Sequence, residues 1–173
     1  MKQDKSKNMK TITILLTRYK DFFGRVLCDI GGDAYSHASI SIDENEEIFY
    51  SFNKKGFVVE KPKKYKPKKR MPDSACIRLK VPEEVYFKIQ QEIQFFLERK
   101  EKYSYSLFGT LLCFLHIPHK FHDKYFCSQF VAELLEKAGA VEFRKEVSLY
   151  LPSQLLYGWQ SIFAKEEIVF NAI

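Results

Sequence analysis

The stretch from Phe126 to Ala138 limits the possible folds more than any other part of the chain. Phe126, Phe130, Val131, Leu134, Leu135 and Ala138 recur at three- and four-residue spacing, while Gln129, Glu133, Glu136 and Lys137 fall mostly on the other side. This spacing predicts an amphipathic helix with one face laid against a core. Asp123 is the candidate cap and Gly139 the left-handed terminator, so the helix should begin between Asp123 and Cys127 and end near Ala138. Cys127 then sits in the first turn. There the open backbone N–H groups and the positive helix end favour a thiolate, which makes Cys127 a candidate nucleophile. A lone buried cysteine is more often core filling, so the chemical reading needs a base.

Four histidines are available. His116, His119 and His122 precede the cysteine in a short segment broken by Pro118, with neither the H-E-x-x-H spacing nor a carboxylate cluster that would complete a metal site. No metal or cofactor is expected. His37 has a different setting: Ser36-His37-Ala38-Ser39-Ile40-Ser41-Ile42 alternates as a half-buried strand, with His37, Ser39 and Ser41 on one face. A strand holds an imidazole more rigidly than a loop. His37 is therefore the candidate general base for Cys127.

The 173 residues suit one domain, and 46% hydrophobic with 29% charged residues excludes global disorder. Sixteen phenylalanines and ten tyrosines predict an aromatic core or groove. Cys28, Cys76, Cys113 and Cys127 are widely spaced without a C-x-x-C unit, which suggests reduced thiols rather than a zinc or redox motif. Residues 1–10 are polar, read as a flexible tail, and lack the apolar centre of a signal peptide; a cytoplasmic protein is expected. The patch from Leu107 to Ile117 is too short to cross a membrane and reads as a buried helix.

Along the rest of the chain, Thr11–Thr17 reads as a buried strand, Phe22–Ile30 as a short helix ended by Gly31-Gly32-Asp33, and Ile48–Phe52 as the strand that pairs with the histidine strand. Gly56–Glu60 is a further short strand. The segment 61–72, with three prolines and a dense run of lysines, reads as an extended basic surface loop that could meet an acidic partner, although nothing in it makes a nucleic-acid stacking platform. A strand over Ala75–Lys80 leads through Pro82 into a helix with Val85, Ile89, Ile93, Phe96 and Leu97 on its buried stripe. Pro152 opens a turn through Leu156, Ile168–Phe170 closes a sheet edge, and Tyr157 with Trp159 packs the last connection.

Three of these segments, with the turn Leu151-Pro152-Ser153-Gln154-Leu155, resemble the circularly permuted branch of the papain-like cysteine hydrolases. That branch includes YiiX-like proteins and is similar in plan to NlpC-like ones. The likeness lies in Thr13–Arg18 as opening strand, Tyr35–Ile40 as histidine strand and Tyr125–Val131 as nucleophile helix, in that order. It implies an α+β, permuted papain-like fold: residues 11–173 as one domain, with a central antiparallel sheet packed against helices. It also implies a thiol hydrolase that cleaves an amide or ester through an acyl-enzyme. Peptide, peptidoglycan fragment and acyl or lipid-like substrates stay open, as do acyl transfer to a lipid or amine and a noncatalytic module that binds through residues 61–70. In this family a third group that orients the histidine normally comes from the next strand, where this chain has Phe49-Tyr50-Ser51-Phe52-Asn53 and no central acid. Ser51 is the first candidate, with Tyr50, Asn53 and Glu47 as alternatives. Tyr50, Asn53, Phe126 and Gln129 are the candidate substrate contacts.

Overall fold

The computed structural model describes residues 8–19, 34–62, 74–161 and 166–170. The helix expected over Phe22–Ile30, with Cys28, and the basic stretch beyond Pro62 lie outside them. The fold is mixed α+β, with a six-stranded antiparallel sheet packed against helices. The strands are β1 (Met9–Thr17), β2 (His37–Ser41), β3 (Phe49–Asn53), β4 (Gly56–Glu60), β5 (Ser74–Pro82) and, at the far edge, β10 (Glu166–Phe170), in the order β10-β5-β1-β2-β3-β4. β1 begins at Met9, two residues inside the expected tail.

Among the described residues, three α-helices lie between β5 and β10: α1 (Glu83–Glu98), α2 (Leu107–Phe114) and α3 (Cys127–Ala138). Two short pairings link them, β6 (Ser104–Tyr105) parallel to β7 (Lys124–Tyr125), and β8 (Val141–Phe143) antiparallel to β9 (Trp159–Ser161). Among the described residues no helix is long and apolar enough to cross a membrane.

Strand alternation divides the core. Ile12, Ile14 and Leu16 of β1, Ala38 and Ile40 of β2, and Ile77 and Leu79 of β5 meet Val85, Ile89, Ile93 and Phe96 of α1 and Phe130, Val131, Leu134 and Leu135 of α3. On the opposite face, Leu15, Phe49 and Cys76 form a smaller cluster. Both faces of β2 are therefore buried, rather than the single face its alternation suggests. The aromatic residues gather at one end of the main core, where Phe52 has the rings of Phe57, Phe96, Tyr125 and Phe130 at centroid distances of 5.1 to 5.8 Å.

Several local signals hold and some do not. Gly139 ends α3 at φ 76° as its position predicts. Asp123 does not cap that helix: its carbonyl accepts from Ser104 N–H at 3.0 Å, β7 intervenes, and Phe126 is the uncapped N-cap residue. Trp159 packs the last connection and donates to the Leu155 carbonyl, but Tyr157 is 69% exposed. The expected buried helix over Leu107–Ile117 turns out to be α2, whose large apolar side chains are mostly exposed.

Gly56 opens β4 at φ 89°, and a Cβ there would stand 2.6 Å from the carbonyl oxygen of Tyr103. Backbone conformation and space both demand glycine. Gly56→Ala should destabilise the protein by about 2 kcal/mol or more, read as a lower urea midpoint at unchanged slope.

Candidate active site

Cys127 is the first residue of α3 and His37 the first residue of β2, so each side chain is set at the beginning of a rigid element. α3 packs on β2, and the Cys127 side chain is near enough to the His37 ring to influence its charge. The ninety positions between the two are thus closed by the packing of one helix on one strand. Both groups are well covered, with Cys127 3% and His37 6% exposed.

The carboxylate beside His37 arrives from an unexpected place. Glu60, the last residue of β4, brings both carboxylate oxygens to His37 Nε2, at 3.1 and 3.0 Å. β4 is the sheet edge and is separated from β2 by β3, so the carboxylate comes from one strand beyond the one searched in the sequence. Ser51, the first candidate for this position, is fully buried and donates instead to the Ala38 carbonyl at 2.6 Å, a bond that ties β3 to β2. The detectable signal for Glu60 was a carboxylate closing an otherwise apolar strand.

Electrostatics follow from this geometry. Burial by itself pulls the imidazole pKa down, but the Glu60 carboxylate and the hydrogen bonds with Cys127 and Glu60 more than reverse the effect, raising it from 6.5 to about 10. The ring therefore keeps its proton through the neutral range. Glu60 engages Nε2, so Nδ1 is the ring nitrogen that this carboxylate does not hold.

Supporting contacts hold the start of the histidine strand. The Ser36 N–H donates to the Thr17 carbonyl at 3.0 Å, and the Ser36 hydroxyl accepts from Tyr19 N–H at 2.9 Å. The Tyr19 ring lies 5.1 Å from the His37 ring, centroid to centroid. From the distant turn at Pro152, the Ser153 hydroxyl accepts from Tyr35 N–H at 3.0 Å, which fixes the backbone two residues before the imidazole.

The other candidate contacts have various surroundings. Phe126 is buried next to Cys127. Gln129 is also buried rather than turned to solvent; its amide sits near the Glu133 carboxyl without completing a hydrogen bond of normal geometry. Tyr50 is half-buried and stacks on Phe57, and burial with the nearby Asp43 carboxylate raises its phenol pKa. Asn53 accepts from Lys55 N–H at 2.9 Å and so shapes the β3–β4 turn. Among the described residues, no cluster of three or more His, Cys, Asp or Glu side chains could hold a metal ion. No protein-family model matches the chain, and no curated protein matches it in sequence.

A histidine whose folded pKa lies above its unfolded value stabilises the protein fully below about pH 6.5, and that contribution is lost as pH rises towards 10. Stability of the wild-type protein should accordingly decline over this window. Glu60→Gln removes the counter-charge and leaves burial dominant, so the decline should flatten and the His37 ring should titrate near or below 6.5. Imidazole nitrogen NMR shifts, with urea melts at several pH values, would read both effects.

Proposed function

We propose that this protein is a cysteine hydrolase of permuted papain-like design, with Cys127 as nucleophile, His37 as proton carrier and Glu60 as the group that orients and charges the ring. The observation that carries the proposal is the His37 imidazole, which has the Glu60 carboxylate on Nε2 and the Cys127 side chain as its other polar neighbour. The chain order favours the permuted branch, since the histidine strand precedes the cysteine helix and the Pro152 turn returns to brace the strand through Ser153.

The chemistry follows in two balanced halves. Cys127 reacts as a thiolate beside the already protonated His37 ring: its sulfur attacks a carbonyl carbon, and the C=O electron pair moves onto oxygen. The N–H groups of the first turn of α3 have no side-chain cap, and that of Cys127 is a ready donor to this oxyanion. When the tetrahedral species collapses, the C–N or C–O bond breaks and the leaving group takes the proton from Nδ1, leaving a thioester. A water molecule then gives its proton to His37 and its oxygen to the carbonyl carbon, and the sulfur departs as thiolate. Acylation has meanwhile removed the thiol and thiolate contributions that raise the ring pKa, so His37 is a stronger catalyst of proton removal from water in the second half than its resting protonation suggests.

An activated ester such as p-nitrophenyl acetate tests this without knowledge of the natural substrate. A burst of p-nitrophenolate stoichiometric with protein, together with an acetyl adduct on Cys127 by mass spectrometry, is the expected result. Cys127→Ala should abolish both, and His37→Ala should slow acylation about 10²- to 10⁴-fold. Absence of the adduct in a folded wild-type protein would make the buried pair structural and favour a noncatalytic binding role.

A further inference from the structure

A carboxylate on one nitrogen does not by itself fix an imidazole. Rotation about the bond from Cβ to the ring has a broad, roughly two-fold profile, so a ring held only at Nε2 keeps freedom to pivot about that contact. In this protein the freedom is narrowed from the side of β1. Thr17, the last residue of β1, lies opposite His37 in the β1–β2 register. The two segments stay tied past that pair, since the Ser36 N–H donates to the Thr17 carbonyl and the Tyr19 N–H donates to the Ser36 hydroxyl. Tyr19 stands two residues beyond Thr17, where the alternation of an extended chain returns the side chain to the same side. Its ring meets the imidazole at 5.1 Å between centroids and an interplanar angle of 53°.

Tyr19 is thus anchored twice to the same short stretch, by its backbone to Ser36 and by its ring to His37. The separation of the rings lies inside the roughly 6 Å within which an aromatic face attracts a cation. That attraction depends on the charge of the imidazole: a neutral ring gains only dispersion from the phenol, whereas an imidazolium also gains from the negative face of the aromatic system. His37 is 6% exposed, so water screens the interaction little. The ionisable groups that act on the ring are Glu60 from β4 and Cys127 from α3. Glu60 supplies the counter-charge at a ring nitrogen, and Tyr19 adds an uncharged surface that favours the same protonated form.

We propose that Tyr19 is a positioning residue for His37, its ring clamping the imidazole in the orientation that Glu60 selects. The inference rests on the cysteine-hydrolase reading for the step that the clamp serves. In both halves of that reaction His37 exchanges a proton within hydrogen-bond reach, and a ring swung away from its setting loses that reach. Tyr19 acts only through the imidazole and takes part in no proton transfer. The clamp itself is a property of the two rings, so it is read on the His37 titration whether or not the protein turns over a substrate.

Two variants separate the aromatic face from mere bulk: Tyr19→Phe keeps a ring, and Tyr19→Leu fills space without one. Imidazole nitrogen NMR should show the His37 titration of Tyr19→Leu lowered by about half to one pH unit, with Tyr19→Phe following the wild type. Acylation by p-nitrophenyl acetate should slow about tenfold in Tyr19→Leu and be rescued in Tyr19→Phe. A residue that only filled space would move the urea midpoint and leave the titration in place. An unshifted titration in folded Tyr19→Leu, an equal shift in Tyr19→Phe, or acylation of Tyr19→Leu at the wild-type rate would overturn the proposal. If Tyr19→Leu does not fold, the wild-type protein decides: nuclear Overhauser contacts between the Tyr19 ring protons and the carbon-bound ring protons of His37 are expected, and their absence overturns the clamp. Wild-type protein that takes up no acetyl group, while Tyr19→Leu still shifts the titration, keeps the clamp and removes the hydrolase reading, so the two failures are told apart.

Discussion

A charged imidazole inside a protein is tolerable only beside a counter-charge, and the pairing of His37 with Glu60 is the constraint around which this structure is arranged. An isolated buried cation would lose its proton rather than bear the desolvation cost. Here two carboxylate oxygens at 3.0 and 3.1 Å reverse that preference. The pairing in turn dictates backbone features far from it. Glu60 must be delivered by β4, and β4 follows a tight turn whose Gly56 has no room for a side chain. His37 must be held at the start of β2, and Ser36, Thr17 and Ser153 fix the chain on its approach. Without Glu60 the buried ring gives up its proton, and without His37 the partly exposed Glu60 carboxylate loses its cation, so either break removes the ion pair.

The framework was legible in the sequence because periodicity reports burial directly. The three-and-four spacing of Phe126 to Ala138 and of Val85 to Phe96 marks faces that the structure buries, and the strands around Ile14, Ile40 and Ile77 form the centre of the sheet. Cys127 and His37 were singled out through chain order and resemblance, and α3, which begins with the one, packs on β2, which begins with the other. Glu60 was not. A search limited to the strand beside the histidine assumes that orienting groups come from adjacent strands, whereas a long carboxylate side chain on the edge strand reaches the ring here. Ser51 looked chemically suitable but was needed elsewhere: its hydroxyl satisfies the Ala38 carbonyl between two buried strands. Polar residues in a sheet interior answer first to the backbone, and that demand cannot be read from side-chain chemistry alone.

Buried polar atoms without partners sharpen the picture of the site. Thr17 Oγ1 and Ser128 Oγ are both in this condition. Thr17 is the residue opposite His37 in the β1–β2 register, and Ser128 directly follows Cys127. Each unsatisfied hydroxyl costs about 1–3 kcal/mol, and elsewhere in this sheet equivalent hydroxyls are used: Thr13 donates to Glu46 and Ser51 to Ala38. Gln129 Nε2, Glu133 Oε2 and Ser148 Oγ are in the same condition, so the unmet groups extend beyond the neighbourhood of the cysteine and histidine.

α2 carries the same logic to the surface. Its apolar content read as core because hydrophobicity along a sequence reports a preference for burial without saying against what. The small residues Gly109, Thr110 and Cys113 seat it, and a Cβ on Gly109 would stand 2.6 Å from the Ser106 hydroxyl oxygen that caps the helix. Had stability alone selected this helix, the large residues would be more effective inside, where each fully buried Leu or Phe contributes about 1.5–3 kcal/mol. Keeping them outside forgoes that gain on a helix with Ser106 accepting from Gly109 N–H as a proper N-cap, so the exposure is a feature of a well-formed element rather than of a frayed one. The exposed apolar face thus belongs to an ordered, capped helix that is seated through its small residues.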